Sequence, residues 1–404
     1  MQSTISKNNT KFIMSFGKMP LANKFLDKKD FSNEKFYDMS VGFDENLSLF
    51  QLINFPEPED MFDENYAFLS GTSEFMKLHF EKFANQIKNL MKKSNSNKKI
   101  IEIGCNDGIM LRNFYDDKNY GHLGIEPSKN VYNIAKNQNL NVINEFFSKQ
   151  LSSQLREFEK KTDVIYAANV ICHIPDLKDL FLGIENLLAK DGLFIFEEPY
   201  LGEVAKITSY DQIYDEHIYL FSLLSVEKIS SLFDLQIIDA IPQLTHGGSM
   251  RYFVGRKGQH EISSNVKKFF AIELNQKLDK FETYIKFKNN CENSKERLIE
   301  LINSYKKKGK SISGYAATSK STTILNYCKI GNDLIDCIYD TTPLKINKFS
   351  PGMHIPIKDH KYFSKDNPDV SLLFGWNHKD EIFKKEHLYK KNGGIWISHI
   401  EDLI

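Results

Sequence analysis

The stretch KKIIEIGCNDG, residues 98–108, constrains the fold more than any other part of the chain. Ile100, Ile101 and Ile103 predict a buried strand, with Glu102 near its end and a loop framed by Gly104 and Gly108 beyond it. Glycine at both rims lets the backbone turn sharply and come close to a ligand. The helix expected next presents unpaired N–H groups at its start. A second strand, His122 to Ile125, ends in Glu126. That is roughly the twenty-residue spacing at which an acid meets the hydroxyls of a ribose.

The same outline serves dinucleotides, so the details of the loop decide. A dinucleotide loop reads G-x-G-x-x-G and leaves the helix N-terminus free for a pyrophosphate. Here the order is Gly104, Cys105, Asn106, Asp107, Gly108. A carboxylate at Asp107 repels a pyrophosphate and suits the cationic ammonium and sulfonium groups of S-adenosylmethionine. Glu102, Gly104, Asn106, Asp107, Gly108, Glu126 and Pro127 are therefore expected to hold that methyl donor, with Asn169 at the end of the fourth strand. Cys105 is read as a small packing residue. A nicotinamide oxidoreductase is the rival reading.

A chain of 404 residues exceeds one ordinary core and implies two or three domains. Its 53 basic and 53 acidic residues cancel, which gives no reason to expect nucleic acid or an anionic membrane as partner. No run is long enough to span a bilayer, and the N-terminus carries no apolar stretch of signal-peptide length. Cys105, Cys172, Cys291, Cys328 and Cys337 form no C-x-x-C pair, so neither disulfides nor a zinc knuckle is expected. A reducing cytoplasm is the expected compartment. Oligomeric state stays open.

Residues 1 to about 70 show little periodicity, apart from strand-like pieces such as 47–53. Met76, Phe80, Phe83, Ile87 and Leu90 fall at helical spacing, with Ser73 as cap and Glu74 in the first turn. Residues 92–97 read as a link. From 98 to about 257, strands over 99–104, 121–126, 141–144, 163–169, 193–198, 235–241 and 249–255 alternate with helices, which predicts an α/β fold with a parallel sheet. Asp176 is expected to cap a helix with Leu177, Leu180, Phe181, Ile184, Leu187 and Leu188 on one face, ending at Gly192. Thr245 to Ser249 is too short for a crossover helix, so the last two strands must pair as a hairpin. Such a hairpin is usual in class I methyltransferases and not in dehydrogenases. Residues 262–308 read as helix with a break near Asn289 and Asn290. A second α/β unit follows, with strands over 311–316, 334–339, 370–374 and 394–398. Between its first strand and helix, Thr318, Ser319 and Lys320 suit either a phosphate or a plain helix cap.

The chemistry is expected between the fifth and sixth strands. Glu197, Glu198, Pro199 and Tyr200 end a strand at the edge where ligands bind, and Tyr214, Asp215, Glu216, His217 and Tyr219 follow. Histidine removes protons near neutral pH, and a carboxylate beside it orients it. His217 is the expected base, with Glu216 and Tyr214 beside it. His173, Tyr200, His246 and Arg251 are candidate substrate contacts, although His246 also suits a plain turn, Arg251 a local ion pair and His173 a helix cap.

GIEPS at 124–128, AANVICHIPD at 167–176, EEPYL at 197–201, YDEHIYLFS at 214–222 and HGGSMR at 246–251 closely resemble the nucleotide-sugar C-methyltransferases of deoxysugar pathways. PLAN at 20–23, YAATSKSTTILNYC at 315–328 and PGMHIPI at 351–357 extend the likeness over nearly the whole chain. The resemblance implies a small N-terminal domain (1–72), a class I methyltransferase Rossmann-like domain (73–260) and a C-terminal Rossmann-like α/β domain (261–404). It implies a nucleotide-linked sugar as substrate, for surface polysaccharide or deoxysugar biosynthesis, and His217 as base on a keto sugar. O-methylation of a hydroxyl on such a hexose or heptose is the alternative. It places Tyr66 near the substrate and sets Phe68 where a second tyrosine is common. One departure stands out: the family's first domain binds zinc through four cysteines, and no cysteine precedes Cys105 here. Packing by Phe12, Phe16, Phe43 and Phe50 is expected in place of the metal.

Overall fold

A computed structural model describes residues 5, 9–62, 66, 70–72, 74–91 and 97–400, without the side chains of Thr72 and Glu74. The Ser73 cap, the first-turn role of Glu74, Phe68 and most of the 92–97 link lie outside what it describes. Among the described residues, three sheets organise the fold. The middle one has seven strands in the order Leu235–Gln243, Ser249–Arg256, Leu188–Pro199, Thr162–Ala168, Lys98–Ile103, Tyr120–Ile125 and Val142–Ile143. All run parallel except Ser249–Arg256, which is antiparallel to both its neighbours. This is the class I methyltransferase arrangement, hairpin included. Ile100, Ile101, Ile103, Val164, Ile165 and Phe194 are at most 2% exposed, because helices cover both faces of a parallel sheet.

The third sheet is wholly parallel, in the order Ile357–Asp359, Ile338–Asp340, Ile312–Tyr315, Val370–Leu373 and Ile395–Ile397. The first sheet is antiparallel and joins Thr10–Pro20, Phe36–Asp44 and Leu49–Leu52 to Tyr219–Leu220. Its edge strand thus comes from the segment that carries His217, and Leu52 N–H donates to the Ile218 carbonyl at 2.8 Å. Two register shifts, at 12–14 and 15–17, break the alternation of Thr10–Pro20 and hide the strand from a period-two reading.

Asp176 accepts from Asp179 N–H at 3.0 Å, and the helix it caps runs Leu177–Leu187. That helix stops short of Gly192, which lies within the next strand, because Leu188 already pairs with Thr162. The helical region after 262 breaks at 276–280 and not at Asn289 and Asn290, which sit inside the helix Phe281–Lys307. Lys277, at φ +56°, makes the turn. In the first sheet Phe16, Phe43 and Phe50 are buried, whereas Phe12 is 56% exposed and fills no core. Glu34 helps fasten this part to the third sheet by accepting from Gly352 N–H and from His354 Nε2, both at 2.7 Å.

Candidate active site

Loops at the carboxyl ends of the middle sheet meet the first and third sheets around a cavity of about 580 Å³. That is the size of a cofactor-plus-substrate site. Gly104, Asn106, Glu126, Pro127 and Asn169 line its donor side, beside the apolar Ile103, Ile125, Phe146 and Phe147. Gly104 has φ +67°, and a Cβ there would lie 2.4 Å from Val170. Asn106 and Asn169 also adopt left-handed backbone, at φ +49° and +56°. The carboxylate of Glu126 accepts from Asn106 N–H at 3.0 Å and Ser128 N–H at 2.8 Å. Each oxygen keeps a lone pair for a hydroxyl. Burial raises its pKa to about 6 against those hydrogen bonds. Asn169 Oδ1 is buried without a hydrogen-bond partner, a ready acceptor for an ammonium group. These residues fit S-adenosylmethionine.

Three other expected donor residues do not line the cavity. Glu102 accepts from the Tyr166 hydroxyl at 2.7 Å, in the core. Asp107 Oδ2 accepts from Gly71 N–H at 2.8 Å, so the carboxylate anchors the segment before helix Glu74–Met91. Gly108, at φ +78°, is held by packing, since a Cβ would lie 2.2 Å from Leu140.

Another wall of the cavity carries Tyr214, Glu216 and His217, the expected catalytic residues. His217 Nδ1 lies 2.7 Å from the Gln212 carbonyl, and its Nε2 lies 2.7 Å from the Tyr214 hydroxyl. A carbonyl only accepts, so Nδ1 carries the proton and Nε2 offers the lone pair. Burial and the nearby His173 hold the imidazole well below its usual pKa, so it is neutral. Glu216 takes hydrogen bonds from Asn23 Nδ2 at 2.6 Å and the Tyr66 hydroxyl at 3.0 Å. Burial raises its pKa, and Asp215 beside it, which accepts from Ala22 N–H, is raised as well.

His173 stacks between Phe62 and His217, with ring centroids at 5.6 and 5.4 Å. Its Nε2 is buried and unpartnered, and burial lowers its pKa to about 3. His246 lines the cavity at φ +54°, with its pKa also lowered by burial to about 3. Tyr200 and Arg251, expected near the substrate, do not line the cavity. Tyr200 packs its ring over Gly202. Arg251 donates to Glu197 Oε2 through Nε and Nη2 at 3.2 and 2.8 Å, and to Gln86 at 2.6 Å. His79 joins the same carboxylate at 2.9 Å. Burial alone would raise Glu197, but His79 and Arg251 outweigh it and bring its pKa to about 2.

Sequence reasoning gave no role to Asn23 or His378, and left Lys320 between a phosphate and a cap. All three line the cavity. Asn23 stands 193 positions from Glu216, and no spacing rule connects them.

Residues 75–240 match a family described as "Methyltransferase domain", and residues 244–400 one described as "C-methyltransferase C-terminal domain". The C-methyltransferase NovU of Streptomyces niveus is 29% identical over 392 residues, which cover 96% of this chain and 93% of that protein. Among solved structures, the PH0226 protein of Pyrococcus horikoshii OT3 has 16% identity and a TM-score of 0.38, over 50% of this chain and all of its own. The CurJ carbon methyltransferase has 15% identity and a TM-score of 0.37, over 50% of this chain and 62% of its own. No helix among the described residues is long and apolar enough to cross a membrane. The matched families, the likeness to NovU and a cavity that fits the donor together make this chain an S-adenosylmethionine-dependent methyltransferase.

Proposed function

We propose that the enzyme methylates a carbon of a nucleotide-activated keto sugar, for surface polysaccharide or deoxysugar biosynthesis, with His217 as general base. The observation that carries this reading is the Tyr214–His217 pair: an uncharged imidazole with its lone pair on Nε2, on the wall of the cavity that holds the donor residues. NovU is a C-methyltransferase, and that likeness supports carbon as the acceptor. When bound, the donor supplies an electrophilic methyl group. The protein's own residues do the rest.

In this reading Gly104, Asn106, Glu126, Pro127 and Asn169 orient the donor, and Tyr66, His173 and His246 border the sugar. His217 Nε2 takes the proton from the carbon beside the ketone, and Tyr214 turns its hydroxyl to give up that nitrogen. The electron pair released at carbon would form the new bond to the bound donor's methyl group, with S-adenosylhomocysteine as the leaving group. Neutral His173, in the tautomer that carries its proton on the unpartnered Nε2, donates that N–H to the oxygen that gains charge, and the apolar wall keeps water away. Chain units at 1–72, 73–260 and 261–404 fit this division of labour. Five buried free thiols suit a reducing cytoplasm.

A panel of GDP-, dTDP-, UDP- and CDP-sugars, keto and non-keto, incubated with donor carrying a ¹³C-methyl group, tests this. A ¹³C signal on carbon is the expected result. A signal on oxygen would mean that His217 deprotonates a hydroxyl, and no sugar product at all would overturn the substrate class.

A further inference from the structure

Cys172, His173 and His217 each offer one ligand atom, the thiol sulfur or a ring nitrogen, and these atoms all lie within 4.8 Å of one another. Cys172 is fully buried, whereas both histidines line the cavity. Glu198 holds the first two in place. Its Oε1 accepts from the N–H groups of Val170, Ile171 and Cys172 at 3.0, 2.7 and 3.3 Å, which fixes the turn Ile171–His173. His217 is held by the Gln212 carbonyl on Nδ1 and by stacking on His173. That hydrogen bond leaves a lone pair on His217 Nε2, and His173 Nε2 is buried with no hydrogen-bond partner. A buried polar atom without a partner calls for an explanation. One thiolate and two imidazoles form a donor set that suits zinc and not magnesium or calcium. Zinc bonds of ~2.0–2.3 Å in a tetrahedron set the ligand atoms roughly 3.5 Å apart, so side-chain shifts of about 1 Å complete the site. The fourth position stays open, as in zinc sites with three protein ligands.

We propose that Cys172, His173 and His217 bind a zinc ion that enters from the cavity, and that the bound ion switches the enzyme off. The thiol gives up its proton to solvent, and the sulfur and one nitrogen of each ring bond the ion, with no change of oxidation state. Glu198 and Glu216, the carboxylates that act on Cys172, favour a cation beside it. Tyr214 turns its hydroxyl aside for the ion as it would for a proton. The lone pair on His217 Nε2 then belongs to zinc, so ion and substrate proton compete for one atom. Binding rests on the donor set alone; the effect on turnover rests on the reading of His217 as base given above.

Calorimetric titration of the chelator-treated full chain with zinc chloride tests the site. A single ion per chain is expected, with Cys172→Ala losing more than the ~10–100-fold that removing a group behind a metal ligand costs. Cobalt(II) in place of zinc should give the near-ultraviolet absorption of a thiolate–cobalt bond in the wild type and in neither Cys172→Ala nor Cys172→Ser. Unchanged S-adenosylhomocysteine affinity reports that the variants are folded. Equal zinc affinity in wild type and Cys172→Ala overturns the site, as does a wild type that binds no zinc or binds magnesium equally well. The switch is read as S-adenosylhomocysteine released with the sugar nucleotide preferred in the panel above. One equivalent of zinc should lower wild-type turnover by up to the ~10²–10⁴-fold that a general base contributes, reversed by chelator. Cys172→Ala should keep its zinc-free turnover near the wild-type value and resist the same zinc. Zinc held through Cys172 with turnover unchanged keeps the ion site but overturns the switch and His217 as base. Zinc-edge X-ray absorption of the wild type should show one sulfur and two imidazole nitrogens around the ion. A shell without sulfur overturns the proposal even if both variants fail to fold.

Discussion

The Tyr214 hydroxyl stands 2.7 Å from His217 Nε2, the nitrogen that takes the proton in the proposed mechanism. The Gln212 carbonyl holds the opposite nitrogen at 2.7 Å, which settles the tautomer. Because burial keeps the ring neutral, its Nε2 lone pair is available for the proposed role as base without first losing a proton to water.

His217→Asn is therefore expected to lower kcat by ~10²–10⁴-fold, the usual contribution of a general base. Donor affinity, measured with S-adenosylhomocysteine, should not change. Tyr214→Phe keeps the ring packing but removes one hydrogen bond of ~0.5–1.5 kcal/mol, so a loss of about tenfold or less is expected. Near-normal turnover of His217→Asn removes that residue from the mechanism.

Under the proposed donor assignment, Glu126 should set the pH dependence of donor binding. In that assignment its carboxylate form accepts the ribose hydroxyls, and burial puts its pKa before binding at about 6. Affinity for S-adenosylhomocysteine should hold above that pH and fall as pH drops through it. Glu126→Ala should weaken binding by about 1.5–3 kcal/mol and flatten the profile. A dissociation constant that stays flat between pH 5 and pH 8 in the wild type, a window chosen to bracket about pH 6, refutes the ribose assignment.

Arg251, paired with Glu197 away from the cavity wall, is expected to support stability and not substrate binding. Arg251→Met leaves Glu197 buried with less counter-charge, so unfolding free energy from denaturant titration should fall by ~3–5 kcal/mol. Below the unfolded carboxylate pKa the pair's contribution fades, and it is gone once pH falls through about 2. KM of the residual folded enzyme should stay near the wild-type value. A raised KM with normal stability would return Arg251 to the substrate.

Gly104→Ala tests the donor loop. The position needs a left-handed backbone, which costs an L-residue about 1–2 kcal/mol, and the added Cβ would lie 2.4 Å from Val170. Weaker S-adenosylhomocysteine binding and a lower melting temperature are expected together. Unchanged values for both would show that the loop relaxes freely.

Much of the middle sheet and its first turn was legible because the cues are local. The apolar run 100–103, the Gly104 turn, Glu126 at its spacing, the Asp176 cap and the short 245–249 connection each report on neighbours a few positions away. What periodicity could not separate was direction. Glu102, Asp107 and Gly108 share the stretch with Gly104 and Asn106, yet turn into the core or toward Gly71: strand residues alternate between faces, and each loop residue is placed by its own backbone turn and packing. Arg251 likewise finds Glu197 on the neighbouring strand before it can reach a ligand.

By itself, the order of apolar runs, glycines and acids determined a class I sheet that holds a methyl donor. Only the tertiary structure decided which side chains meet around the acceptor. Tyr219–Leu220 completes the first sheet, so Asn23 and Tyr66 reach Glu216 next to His217. Thr323 binds the Ile213 carbonyl at 2.8 Å, tying helix Ser319–Cys328 to the same segment. These contacts join residues more than a hundred positions apart. Their partners are selected by packing among three sheets, and no local propensity encodes that choice.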